Sequence, residues 1–433
     1  MNQADTAWML ISTALVLLMT PALGFFYGGL VRSKNALNTM MMSYISLGFV
    51  GVLWALVGYS LALTAGNNWI GDLSATFLRG VGLAETGAIV PLTIPHVLYM
   101  AFQATFCIIT AALISGAIVE RMRFSAYVAF ISLWSVFVYA PLAHWVWGGG
   151  WLADMGAWDF AGGTVVHVNA GAAALAAAIV VGRRSEHQAS SSLLPHNVPF
   201  VLLGAGLLWF GWFGFNAGSA LAASPIAGLA FTTTMLAPAA TLVVWTFLDL
   251  MRSGKPTAVG AATAIVVGLV AITPAAGFIS PMSGVLLGAI AAVPSYFALI
   301  LRAKTSLDDS LDVVAAHGVG GTVGALLTGV FAEKSINGVF DGLIAGNPGQ
   351  VMIQGAAVLT AIVYSGVMSF VLLKLIGVVI PLRATLADES VGLDISHHGE
   401  EAYLHTGGAS PTLPMAREAA SPQPMLQTVK TDA

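Results

Sequence analysis

Two histidines in this chain each stand eight residues after an aspartate, inside stretches that are otherwise apolar. The first pair is Asp159 and His167, in Asp159-Phe-Ala-Gly-Gly-Thr-Val-Val-His167; the second is Asp309 and His317, in Asp309-Ser-Leu-Asp312-Val-Val-Ala-Ala-His317. A neutral imidazole offers one N–H donor and one bare nitrogen acceptor. With an ordinary pKa near about 6.5, it can take up a proton on one nitrogen and release one from the other. Each aspartate stands where a helix N-cap belongs, offering its carboxylate to the first free backbone N–H groups. Either carboxylate could instead serve as an ion ligand. A lone histidine of this kind is often only a helix-to-helix hydrogen bonder. Two at matching places point to one shared proton-handling site.

The elements that must hold these residues are membrane spans. Of 433 residues, 57% are hydrophobic and only 8% charged, where a soluble domain carries about 25% charged residues. Apolar windows long enough to cross about 30 Å of hydrocarbon fall at 7–31, 39–64, 96–119, 125–146, 160–182, 197–217, 226–250, 257–275, 278–301, 311–331 and 352–380. The eighth is short. His167 then lies about 12 Å into the fifth window, at about 1.5 Å per residue. An ionisable side chain that deep is expensive and is a functional candidate by default. Small residues after it let neighbouring backbones approach, and Arg183 and Arg184 are expected to stop the helix at water. The single Cys107 excludes a disulfide within the chain and a cysteine metal cluster. The apolar start follows Asp5 without a basic region and reads as a mature span, not a cleaved signal.

The fold class is therefore all-α and polytopic, with eleven transmembrane helices. Basic residues set its orientation: Arg32, Lys34, Arg121, Arg123, Arg183, Arg184, Arg252, Lys255, Arg302 and Lys304 lie in odd-to-even turns, and only Arg79 and Lys334 in the others. By the positive-inside rule the N-terminus is outside and the C-terminus cytoplasmic. The two Asp-His helices are spans 5 and 10. Five helices separate them, so a five-span repeat is inverted, spans 1–5 against 6–10, with both rings near the midplane and span 11 peripheral. Residues 1–381 form the transmembrane domain. Residues 382–433 form a cytoplasmic tail, specific in sequence over Gly392 to Tyr403 and ordered to about residue 405, with a composition of disorder beyond. Gln103 reads as an interhelical hydrogen bonder, and His96 and His144 as interfacial histidines.

The run from Asp159 to Gly182-Arg183-Arg184 resembles the signature of the ammonium transporter family, the Amt branch of the Amt/Rh superfamily. So do Gly28-Gly29-Leu30-Val31-Arg32-Ser33-Lys34-Asn35, Glu120-Arg121-Met-Arg123-Phe124, Gly211-Trp212-Phe213-Gly214-Phe215-Asn216-Ala217-Gly218-Ser219 and His317-Gly-Val-Gly-Gly321. The likeness runs over about residues 7–404. It implies an ammonium and methylammonium transporter of the cell (inner) membrane, a homotrimer with one pore per subunit. Trp147 and Ser219 match the recruitment site, with Asp159 nearby. Phe106 and Phe215 match a stacked gate. His167, His317 and Trp212 match the pore. The tail residues Gly392, Asp394, Gly399, Glu400 and Tyr403 resemble the segment that engages PII-type signal proteins. The pair Trp147 and Ser219 places the chain on the Amt side and not with the Rhesus relatives.

Expected transport is of net positive charge, with ammonia crossing an apolar segment while the histidines carry the proton. A passive ammonia gas channel of Rhesus type and an ammonium sensor or transceptor are the alternatives. No enzyme is expected, since HExxH, a nucleophile-base pair and a metal cluster are all missing from the sequence. Cofactors and nucleic acid are not expected either; the lipid bilayer is the remaining partner.

Overall fold

The structure, a computed structural model, describes residues 1–84, 88–185 and 194–403. The expected disordered end of the tail lies outside these residues. Among the described residues, ten helices are long and apolar enough to cross a membrane: α1 (Gln3–Leu30), α2 (Ser33–Leu63), α3 (His96–Ala117), α4 (Phe124–Asp154), α5 (Gly163–Val181), α6 (Val198–Ala217), α7 (Pro225–Ser253), α9 (Pro281–Ala303), α10 (Val314–Phe331) and α11 (Gly349–Val379). The apolar helix α8 (Ala258–Ile272) completes eleven. At 15 residues it is about 22 Å long and cannot reach across about 30 Å alone. Tight turns after Ile272 continue it, and they bring Thr273 and Pro274 against α6 and the start of α5.

The helices α5 and α10 cross at glycine. A methyl placed on Gly171 would fall 2.4 Å from the Gly318 Cα, and one on Gly321 would fall 2.9 Å from the His167 Cβ. Such distances forbid any side chain, so the small residues are what permit the crossing. Both helices begin with a wider, π-type turn that holds the histidine, Gly163–Val168 in α5 and Val314–Val319 in α10. Turns of this kind free a backbone from strict α register and recur at functional sites.

Asp159 caps α5 as the spacing predicts, but from the preceding loop, since Gly162 occupies the N-cap position itself. The Asp159 carboxylate folds over the helix start to accept from the N–H groups of Gly162, Gly163, Thr164 and Val165 at 2.6–3.0 Å. The helix starts three residues later than expected because Gly162, at φ +115, turns the chain. Asp309 does the same for α10 with two bonds, from Val313 and Val314.

On the basic side of the bundle, α3, α5 and α10 end in one buried ionic knot. Arg184 does not stop α5 at water as predicted. It is 5% exposed and pairs with Glu120 and Asp308. Glu120 also accepts from the Arg32 guanidinium and the Asn35 amide, each at 2.8 Å. Fully buried Arg121 donates to the carbonyls of Ala117, Gly182 and Asp308 and to the Ser310 hydroxyl. One guanidinium thus fixes three helix ends at one height. Two short helices of the tail, α12 (Leu386–Val391) and α13 (Leu393–His398), dock beside this knot. Asp394 caps the start of α2 by accepting from Leu37 and Asn38, and Leu393 donates to Asn35.

Candidate functional site

Three cavities lie in sequence around the histidines. The first, of about 400 Å³, opens at the face opposite the ionic knot and is lined by Gln103, Phe106, Trp147, Asp159 and Ser219 among others. α4 delivers Trp147 just before its break at Gly148–Gly150, and the indole N–H donates to the Asp159 carbonyl at 2.9 Å. Ser219 follows α6 and donates its hydroxyl hydrogen to the Phe215 carbonyl at 2.8 Å. That leaves the Ser219 oxygen as a pure acceptor toward the cavity. Trp147 meets the edge of Phe106 at 6.1 Å between ring centres.

Beneath it, Phe106 of α3 and Phe215 of α6 stack with centroids 4.1 Å apart and planes 21° apart. Both rings are 1% exposed. They separate the outer cavity from a narrow apolar space of about 10 Å³ that both histidines line, with Trp212, Leu208, Ile109 and Val166. So small a space admits about one water-sized molecule. His167 stacks on Trp212 at 5.4 Å and on Phe215 at 6.1 Å, while the Trp212 N–H is taken by Thr273.

The His167 and His317 rings meet through their Nδ1 atoms at 3.1 Å. A hydrogen bond between two Nδ1 atoms needs one hydrogen, so in the neutral pair one ring is the Nδ1–H tautomer and the other carries its hydrogen on Nε2. The buried Nε2 of His167 meets no polar partner among the described residues. His317 also borders the third cavity, of about 450 Å³, with Arg184, Arg302, Asp312, Trp245 and Tyr296. Arg302 and Asp312 pair across it at 2.6 Å.

The chain as a whole has relatives. The model of the family described as Ammonium Transporter Family matches residues 7–403. The chain belongs to that family. Its members are membrane transporters rather than enzymes. An ammonium transporter of Aquifex aeolicus is 49% identical over 405 residues, covering 93% of this chain and 94% of that one. The crystal structure of Saccharomyces cerevisiae Mep2 superposes with a TM-score of 0.83 at 34% identity, over 89% of this chain and 88% of the other. A solved structure described as a sensor Amt protein has a TM-score of 0.84 at 31% identity, over 91% and 98%.

Within this ammonium-transporter fold, the sequence reading misplaced several residues. Gln103 does not bridge helices; it lines the outer cavity three residues before Phe106 on the same helix. His144 and His96 are both buried within the protein. His144 is fully buried between the carbonyls of Ala62 and Asn67, and His96 bonds the Tyr59 hydroxyl. The knot of Glu120, Arg184 and Asp308 was missed as a unit. Its signal was the presence of charged residues in turns too short to reach bulk water on every side. In the tail, Gly392 sits at φ +117 with no room for a Cβ beside Lys34, and Gly399 ends α13 at φ +71. The Tyr403 hydroxyl meets His196 at 3.0 Å, and Glu400 stands exposed near His398.

Burial pushes the Glu120 carboxyl up, but the guanidinium groups of Arg184 and Arg32 outweigh it and hold the group down at about 2. Asp308 follows the same logic: burial raises it, and bonds from Arg184 with the charge of Arg121 bring it down to about 2. Both carboxylates stay ionised at any physiological pH, so the knot is a fixed ionic anchor.

Proposed function

We propose that this chain is an ammonium transporter that captures ammonium at the outer cavity and passes ammonia between Phe106 and Phe215 into the histidine-lined space. The proton travels separately along His167 and His317, so net positive charge moves inward. A bare cation in that apolar space is costly to hold, and parting from its proton avoids the cost. Capture draws on the Trp147 face, where a cation gains roughly 0.5–2 kcal/mol, and on the Ser219 oxygen, which accepts an N–H that K⁺ cannot supply. Asp159 holds the helix start and does not touch the ion.

One observation carries the reading: the Nδ1–Nδ1 contact of 3.1 Å between two histidines that lie between the outer and inner cavities. Consider the state in which His167 holds its hydrogen on Nδ1. Its bare Nε2 accepts the proton that ammonium gives up in the outer cavity, and ammonia follows alone between the phenylalanine rings. The Nδ1 hydrogen passes to Nδ1 of His317, which gives its Nε2 hydrogen to the inner cavity. One proton enters and one leaves. Both rings end in the opposite tautomer, and both must switch back before the next turn.

The basic turns support an N-terminus outside and the tail in the cytoplasm, in a cell (inner) membrane. Residues 1–381 act as the transport domain. Docking of α12 and α13 on the knot supports a regulatory role for the tail residues Gly392, Asp394, Gly399, Glu400 and Tyr403, with a PII-type protein as the partner. Resemblance supports a homotrimer.

The test is current. Purified protein in liposomes is pulsed with ammonium, with K⁺ as control, for the wild type, His167→Ala and His317→Ala. The wild type gives a saturable ammonium current, and each variant loses it or its selectivity against K⁺. A variant current equal to that of the wild type rejects the relay, and no current from the wild type favours a passive gas channel.

A further inference from the structure

Six polar or amphipathic side chains line the outer cavity: Tyr99, Gln103, Trp147, Trp158, Asp159 and Ser219. Ammonium needs acceptors, and most of these have none to give. The Trp147 and Trp158 indoles are donors only, and the Trp147 N–H is already bound to the Asp159 carbonyl. The Asp159 carboxylate, the one anion, is turned away and takes four backbone N–H groups. Four charge-assisted bonds use its lone pairs. Tyr99 is 2% exposed, and its hydroxyl lies against the Gln103 amide. Two side-chain oxygens remain: the Ser219 hydroxyl, whose hydrogen is committed to Phe215, and the Gln103 carbonyl. Gln103 is only partly buried, and its carbonyl has two lone pairs, so contact with Tyr99 leaves at least one free.

Gln103 and Phe106 are three residues apart on α3, so they share a helix face. Phe106 is the ring that meets Trp147. The carboxamide therefore lies on the helix face that carries Phe106, in the wall of the cavity that Ser219 also lines. We infer that Gln103 is a second ammonium-recruitment ligand, whose carbonyl accepts one N–H of the ion while Ser219 accepts another. The inference rests on the capture step proposed above. Its physical content is that a neutral acceptor pair holds the ion firmly enough to orient it. A carboxylate in the same place would trap it.

The experiment is a dose–response of ammonium-evoked current in proteoliposomes for wild type, Gln103→Leu and Gln103→Glu. A hydrogen bond to a charged group is worth enough to change binding about tenfold. Gln103→Leu therefore raises the half-saturating ammonium concentration about tenfold while the maximal current stays at the wild-type level, because the ring pair and the histidines are untouched. Gln103→Glu lowers the half-saturating concentration, a change that misfolding cannot produce, and slows maximal current by holding the ion longer. Equal half-saturation in wild type and Gln103→Glu overturns the inference, whether or not Gln103→Leu folds. A wild type without saturable current defeats the capture step itself. A normal wild-type response with an indifferent Gln103→Glu defeats only the assignment of Gln103.

Discussion

The starts of α5 and α10 solve one problem with unequal means. Each begins beneath a buried aspartate that turns back over the first N–H groups, and each then places a histidine at the meeting point. At α5 the carboxylate of Asp159 takes four N–H groups, amid aromatic rings and with no charged partner touching it. At α10 the carboxylate of Asp309 takes two, a few residues from the pairs Arg184–Asp308 and Arg302–Asp312. The difference follows from what each end must do. On the proposed capture step a cation is collected at the α5 end, which accounts for fixed positive charge being kept away and the anion sequestered. Beside α10, charge can be used freely for anchoring.

The largest break in this comparison is removal of each cap. Asp159→Ala strands four buried donors, a loss on the order of 5 kcal/mol, and is expected to prevent accumulation of folded protein. Asp309→Ala strands two, costs about half as much, and should leave a folded protein of lower thermal midpoint in detergent. Equal losses would mean that the two caps do not divide the work as described.

Next in size is acid. Glu120 and Asp308 are held at about 2 in the folded chain, against about 4 when unfolded. A group depressed on folding adds stability that is complete above its unfolded pKa and is lost as pH falls through the folded one. Unfolding followed from pH 5 down to pH 2 should therefore show stability falling from about pH 4 downward. Glu120→Gln should start less stable and flatten that slope. A slope unchanged in Glu120→Gln would take the knot out of the account.

The smallest effect belongs to the outer cavity. Ser219→Ala removes one acceptor for the ion and should raise half-saturating ammonium about threefold to tenfold, with thermal stability unchanged. Loss of stability without a change in half-saturation would make Ser219 a structural residue tied to Phe215.

Much of the site was legible beforehand because it is written in spacing. His167 and His317 stand out because ionisable residues are rare in apolar windows, and equal offsets from an aspartate suggest a repeat. Phe106, Phe215 and Trp212 are different. Aromatic residues in apolar helices are unremarked by composition, and only resemblance singled them out. Gln103 gave no signal of its own, since an amide in a span more often bonds a neighbouring helix than faces a cavity.

Composition and periodicity by themselves determined that this chain spans a membrane many times, which ends carry the basic turns, and that two spans carry an aspartate and a histidine at the same offset. These are one-dimensional properties, fixed by transfer energies per residue and by parity of crossings. Whether Arg184 reaches water or is buried against Glu120 and Asp308, whether Asp159 caps or coordinates, and which nitrogens of the two rings meet were decided by tertiary structure. Each depends on how closely two helices approach, and that distance is set by glycines such as Gly171 and Gly318, far from the charges in sequence and next to the histidines in space.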